Sequence, residues 1–286
     1  MAARGAADEG RHPPPGGVAD WEESWDFTFH TDDARLGGYL RITLRPDAGV
    51  AWCWAALVGR RRPLLSVVDQ EVAPPSGRGL DLRAEGLWAV AELETPMEHW
   101  TVGLEAFGVE LDDPSEAWRS CRGDRSALGF DLEWETTGPA AVLAPGQGYH
   151  LPCEVHGEVL VEDQTILVDG WGARSHAWGA GDRWDQTWCS TSGRFDDATT
   201  WHAQADGAFG DGGPGALPRP TTVGVGPGLE VSLRPVHHAP VRIDGPGGRT
   251  SQLARSLCVA TAGDGRTGLG WTDWNRPVGC LRRPPG

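Results

Sequence analysis

The stretch from Asp169 to Trp188, DGWGARSHAWGAGDRWDQTW, places four tryptophans among glycines, with a single histidine, His176, two residues before Trp178. An indole offers a large apolar face and one N–H, so Trp171, Trp178 and Trp184 are suited to lining a pocket for a hydrophobic molecule. A histidine with an ordinary pKa near 6.5 can position or activate water beside such a molecule. The plainer reading keeps His176 as a buried ring tying two loops together, and Arg174 as a structural ion-pair partner. His99, His150 and His156 lie in or beside strand patterns with no evident partners in the sequence. His237-His238 sits between prolines as a loop with no third metal ligand near it in sequence, and no P-loop or nucleophile elbow occurs.

Something must hold those rings, and the composition says what. The chain has 286 residues with Gly 41, Pro 22, Trp 15, Tyr 2 and Phe 6, and all 25 basic residues are arginine. More than one residue in five is Gly or Pro, which punctuates many short strands and leaves little room for long helices. A net charge of −15 argues against nucleic acid, which needs clustered positive charge. The same charge disfavours adsorption on anionic lipid. The N-terminus has no signal-peptide core, and no run reaches the ~18 apolar residues of a membrane helix. A soluble, cytoplasmic protein is expected. The six cysteines form no CxxC pair, so reduced thiols are expected and no metal or cofactor is implied.

Residues 1–18 are Pro/Gly/Ala-rich and read as a disordered leader. From Trp21 the pattern turns to period two: WDFTFHT and GGYLRITLRP alternate, while GVAWCWAALVG and RPLLSVVDQEV are apolar on both faces. Arg60–Arg62 falls between the latter two as a hairpin turn. PSEAWRSC is the one short helix expected, with Ser115 as its N-cap. Eight or nine strands are expected between Trp21 and about Gly179, and six to eight after it. The fold class is all-β, as two consecutive antiparallel barrels over 19–180 and 181–286; paired β-sandwiches are the alternative that periodicity leaves open.

The chain resembles the two-domain lipocalin-like (calycin) superfamily of carotenoid 1,2-hydratases (hydroxyneurosporene synthases), kievitone hydratase and lipocalin-type Diels–Alderases, closest to an uncharacterised bacterial branch. WEESWDFTFHTDDARLGGYLRITLRP, VDGWGARSHAWGAGDRW and DGRTGLGWTDWNRP carry the likeness, in order along the chain. The resemblance implies that His176 and Trp178 line the active site, with Gly172, Gly179 and Arg174 as motif positions. It also implies an acid and an aromatic 25–30 residues downstream, where Trp201, His202 and Asp206 stand. Ser175 replaces the branch's usual Asp, so an imidazole-orienting acceptor must come from elsewhere.

Water addition to an alkene starts with a proton delivered to carbon. That needs an acid in an apolar cavity, where desolvation keeps it protonated, and indole faces to stabilise the cation. The expected function is therefore a cofactor-free hydratase, isomerase or cyclase acting on an isoprenoid-, steroid- or polyketide-like molecule. His176, Trp178 and Asp206 would be catalytic, with Trp171, Arg174, Trp184, Trp201 and His202 binding substrate. The rival is a non-catalytic carrier of a small hydrophobic molecule. Neither the substrate nor the oligomeric state is legible in the sequence.

Overall fold

The structure, a computed structural model, describes residues 5–278 apart from 120, 144–147, 182, 208–209, 211–212 and 227. Cys280 lies outside the described residues. Two compact units emerge, one of 1–112 with 123–180 and one of 113–122 with 181–286.

The first unit carries β1 (Trp21–His30), β2 (Leu36–Arg45), β3 (Val50–Gly59), β4 (Arg62–Val72), β5 (Leu80–Ala84), β6 (Leu87–Thr95), β7 (His99–Leu111), β8 (Arg125–Thr136), β9 (Ala141–Val142), β10 (Gly148–Val161) and β11 (Gln164–Ala180). They form one antiparallel sheet in the order β4-β3-β2-β1-β11-β10-β8-β7-β6-β5. A short β4–β7 pairing, Leu64–Ser66 against Val109–Leu111, closes the ring into a nearly complete barrel. Two-residue hairpin turns supply the needed positive φ from Arg61, Gly86 and Glu162. Arg60 and Arg61 make the β3–β4 turn, and Arg62 opens β4. β3 is buried on both faces, as its continuous apolar run requires. Inside, Phe27 and Phe29 pack edge-on against Trp134, whose Nε1 donates to the Thr28 carbonyl at 3.0 Å. These rings belong to a buried core that also takes in Trp25, Trp100 and Tyr149.

The second unit carries β12 (Trp188–Phe195), β13 (Thr200–Asp206), β14 (Thr221–Gly226), β15 (Leu229–His238), β16 (Val241–Asp244), β17 (Thr250–Ala262) and β18 (Thr267–Val278). They make a ring-like antiparallel sheet in the order β13-β12-β18-β17-β15-β14, with β16 on β17. The all-β, two-sheet reading holds. His237 and His238 end a strand; the flanking prolines do not make them a loop.

Two local expectations change. The helix near 115 is a 3-10 turn, Pro114–Trp118, capped by Asp113, whose carboxylate accepts from the Ser115 amide at 2.9 Å. Ser115 is therefore inside the turn. The described part of the leader, from Gly5 on, is also no disordered tail: Ala6–Asp8 form a 3-10 turn and Glu9 is 2% exposed. Composition misled because this segment contributes polar atoms, where composition-based reading counts apolar area. No helix among the described residues is long and apolar enough to cross a membrane.

Candidate functional site

The registers of β1, β10 and β11 assemble the site. His176 is opposite Trp25 on one side and Tyr149 on the other; Arg174 is opposite Phe27 and Leu151; Trp178 is opposite Glu23. Residues alternate across a strand, so Glu23, Trp25, Tyr149, Arg174, His176 and Trp178 share one face. Trp171 and Ser175 lie on the other.

That face is covered by the N-terminal segment. His176 is 1% exposed. Its Nδ1 is 2.9 Å from the Asp8 carbonyl and its Nε2 is 2.9 Å from Glu23 Oε1. The ring stacks on Trp25 with centroids 4.3 Å apart. His12 stacks on Trp178 at 3.7 Å. The His12 amide donates to both Glu23 oxygens, and its Nδ1 is 2.8 Å from Glu23 Oε1.

The proton positions follow from the partners. A carbonyl only accepts, so Nδ1 of His176 carries a hydrogen. Burial holds this imidazole neutral, pushing its pKa down to about 4. Nε2 is then a bare acceptor, and its contact with Glu23 needs a proton from the carboxyl side. Burial raises Glu23 against the opposing pull of His12. Glu23 and His176 thus form a buried pair in direct hydrogen-bond contact. The ligand-type atoms of His12, Glu23 and His176 lie within 4.8 Å of one another, a grouping able to hold a cation, although the contacts above are hydrogen-bond lengths that a proton accounts for.

Beside this pair Glu9 meets five donors. Arg174 gives Nη2–H to Oε1 at 2.9 Å and Nη1–H to Oε2 at 3.2 Å. The Met97 amide donates to Oε1 at 2.7 Å. Tyr149 Oη and Trp100 Nε1 donate to Oε2 at 2.7 and 3.1 Å. A cleft of about 300 Å³ opens alongside, its walls part apolar, with Trp25, Leu80, Val90 and Trp100, and part charged, with Arg78 and Glu92 besides Glu9 among its lining residues. His176 is outside its lining, with the Trp25 ring stacked on it and facing the cleft.

Of the residues expected from sequence, Arg174, His176 and Trp178 come together, and the ion-pair reading of Arg174 is the one observed. Trp171 is half-buried on the far face of β11. The rest belong to the second unit. Trp201 packs on Phe195 and gives its N–H to Thr191. Trp184 lies under Arg249 and against Gly245. His202 is half-buried, and burial lowers its pKa to about 4. Asp206 ends β13 exposed, so it lacks the burial that the acid role demands. Glu9, His12, Glu23 and Tyr149 were missed. Glu23 was reachable, since its spacing in WEESW puts it on the face of Trp21 and Trp25. Glu9 and His12 carried no signal, sitting before any periodic pattern.

A search of curated protein sequences finds no match. Among solved structures the fold is similar to an AttH-type protein, NE1406, from Nitrosomonas europaea, at 13% identity over 95% of this chain and 96% of that one, TM-score 0.58. It is similar to kievitone hydratase from Nectria haematococca at 9% identity over 88% of each chain, TM-score 0.53. CghA aligns at 10% identity over 94% of each chain with TM-score 0.49, and has also been solved with Sch210972. At such identities the likeness is one of fold. A sequence profile described as a domain of unknown function matches residues 5–217, which includes the covering segment, and with most of its length so matched the chain belongs to the DUF7064 family.

Proposed function

We propose that the protein is a cofactor-free proton-transfer enzyme of the hydratase, isomerase or cyclase type, acting on a hydrophobic small molecule of isoprenoid, steroid or polyketide character. The observation that carries this reading is the buried Glu23–His176 contact, Nε2 to Oε1 at 2.9 Å, a single ring's thickness from a cleft that Trp25 and Trp100 line. With the covering segment drawn aside, Glu23 delivers its proton to an alkene carbon. The faces of Trp25 and Trp178 stabilise the resulting cation, by about 2 kcal/mol or more when water is excluded. His176, held in the wall by its stack on Trp25, presents a bare Nε2 to an adding water and takes up the proton that water releases. The proton lost from Glu23 is thereby replaced, and no further reactant is needed. For isomerisation the cation loses a different proton to the same base. The kievitone hydratase fold makes hydration the reaction to try first. Free cysteines at all five described positions fit the cytoplasmic setting we propose.

Carriage alone is the second reading, favoured by one observation: both ring nitrogens of His176 are engaged and covered. Mass spectrometry of compounds co-purifying with wild type and with Glu23→Gln separates the two. The enzyme reading expects a converted compound in wild type and its unconverted precursor in Glu23→Gln. The same unchanged compound in both supports carriage and overturns catalysis.

A further inference from the structure

We infer that the Arg174–Tyr149–Trp100 cradle is a ligand-carboxylate site, which Glu9 fills as an internal stand-in, so that the preferred guest is a hydrophobic molecule bearing an acid group. This rests on the proposed function and narrows its substrate class.

The argument begins with what the barrel wall contributes. β7, β10 and β11 direct Trp100 Nε1, Tyr149 Oη and the Arg174 guanidinium to one point, and the Met97 amide joins them from the turn before β7. All these groups donate and none bears negative charge. A guanidinium only 3% exposed is strongly unfavourable without an anion, yet the anion here does not come from the barrel. It arrives on Glu9, in a segment that precedes the first strand and adds no strand to the sheet. Both carboxylate oxygens are engaged, in the two-pronged geometry that guanidinium groups offer to planar acids.

Two further features point to a guest. Glu9 and Trp100 line the 300 Å³ cleft, so an acid on the cradle would have its carbon skeleton against Leu80, Val90 and Leu93. Two buried donors also have no hydrogen-bond partner among the described residues, Arg174 Nε and Trp25 Nε1, and Trp25 lines the same cleft. Glu9 satisfies the charge and leaves these two over. An acid with a neighbouring carbonyl or hydroxyl would offer them acceptors.

Exchange is feasible because the segment is held by a small set of contacts: Glu9 on the cradle, His12 on Glu23 and stacked on Trp178, and Arg11 on the carbonyls of Pro75 and Gly77. A ligand acid replaces Glu9 like for like, while its hydrocarbon gains the cleft. The same displacement uncovers Glu23 and His176.

The experiment is equilibrium binding of farnesoic acid and of farnesol, matched in carbon skeleton, to full-length wild type, Glu9→Ala and Glu9→Ala/Tyr149→Phe. Removal of the internal competitor should tighten farnesoic acid by about tenfold or more in Glu9→Ala, the scale of a charge-assisted hydrogen-bond set, with farnesol little changed. Tyr149→Phe should return part of that gain for the acid alone. Circular dichroism confirms that each variant keeps the sheet. Equal gains for acid and alcohol, or none for either, overturn the carboxylate site. Because the readout is binding, it is separate from the conversion assay above: an acid preference without turnover leaves this site standing and removes the enzyme.

Discussion

Ser175 and His176 are neighbours in the chain and point to opposite faces of β11, which settles how the imidazole is oriented. Ser175 Oγ meets His150 Nδ1 at 2.9 Å on the outer face, so an Asp at this position would not reach His176 in this protein. The orienting acceptor is the Asp8 carbonyl, and the acid partner is Glu23. This has a pH consequence. Between about pH 4 and 6.5 the unfolded chain protonates His176 while the folded chain does not, so stability falls as pH drops through that window, by roughly 3 kcal/mol in full. Glu23 acts oppositely: its raised pKa makes the folded state hold a proton above pH 4.5 that the unfolded chain has lost. Urea unfolding of His176→Gln should show a flatter pH dependence over this range than wild type; an unchanged slope would remove the neutral-imidazole assignment. If the cluster is held by protons, dialysis against EDTA leaves the melting temperature unchanged, whereas a fall would put a cation among His12, Glu23 and His176. His176 and Trp178 were legible because a motif surrounds them. Glu9 was not, since a lone Glu in a Pro/Gly-rich tract looks the same whether it is solvated or caged by five donors.

At the scale of elements, the glycines of β11 explain how closely β1 approaches. A Cβ on Gly172 would stand 1.9 Å from the Thr28 carbonyl oxygen, and one on Gly170 2.2 Å from that of His30. Backbone cannot yield as a side-chain tip does. Gly172→Ala should therefore cost about 3 kcal/mol in urea unfolding and loosen the Trp25–His176 register. Gly224→Ala, where an added Cβ meets nothing within 4 Å, is the control expected near zero. Period-two alternation made β1, β2 and β8 readable, and the acidic turn Glu162-Asp163 between β10 and β11 was readable too. LDLRAEGLWAVAELE, the β5–β6 stretch, alternated legibly as well, but the short β4–β7 seam was not readable. Which strand closes a ring is a long-range choice, and local alternation carries no information about it.

Over the whole molecule, the two-sheet architecture followed from turn density and strand count, while the traffic of the chain between units did not. β7 ends at Leu111, residues 113–122 belong to the second unit, and β8 resumes the first. Within the second unit Trp118 is 5% exposed in a core with Phe195, Trp201 and Trp274. Trp118→Ala should destabilise that core by about 3–5 kcal/mol, read by the loss of slow-exchanging amides in β12 and β18. Nothing in PSEAWRSC announces this, because one Trp beside a polar turn has no period. The detour makes the protein a poor subject for dissection. A gene cut at Ala180 yields a front half that exposes an indole meant for another interior, and a back half with a hole where that indole belongs. The back half should be the less stable fragment, and mixing the two, so that the borrowed ring finds its socket, should restore it.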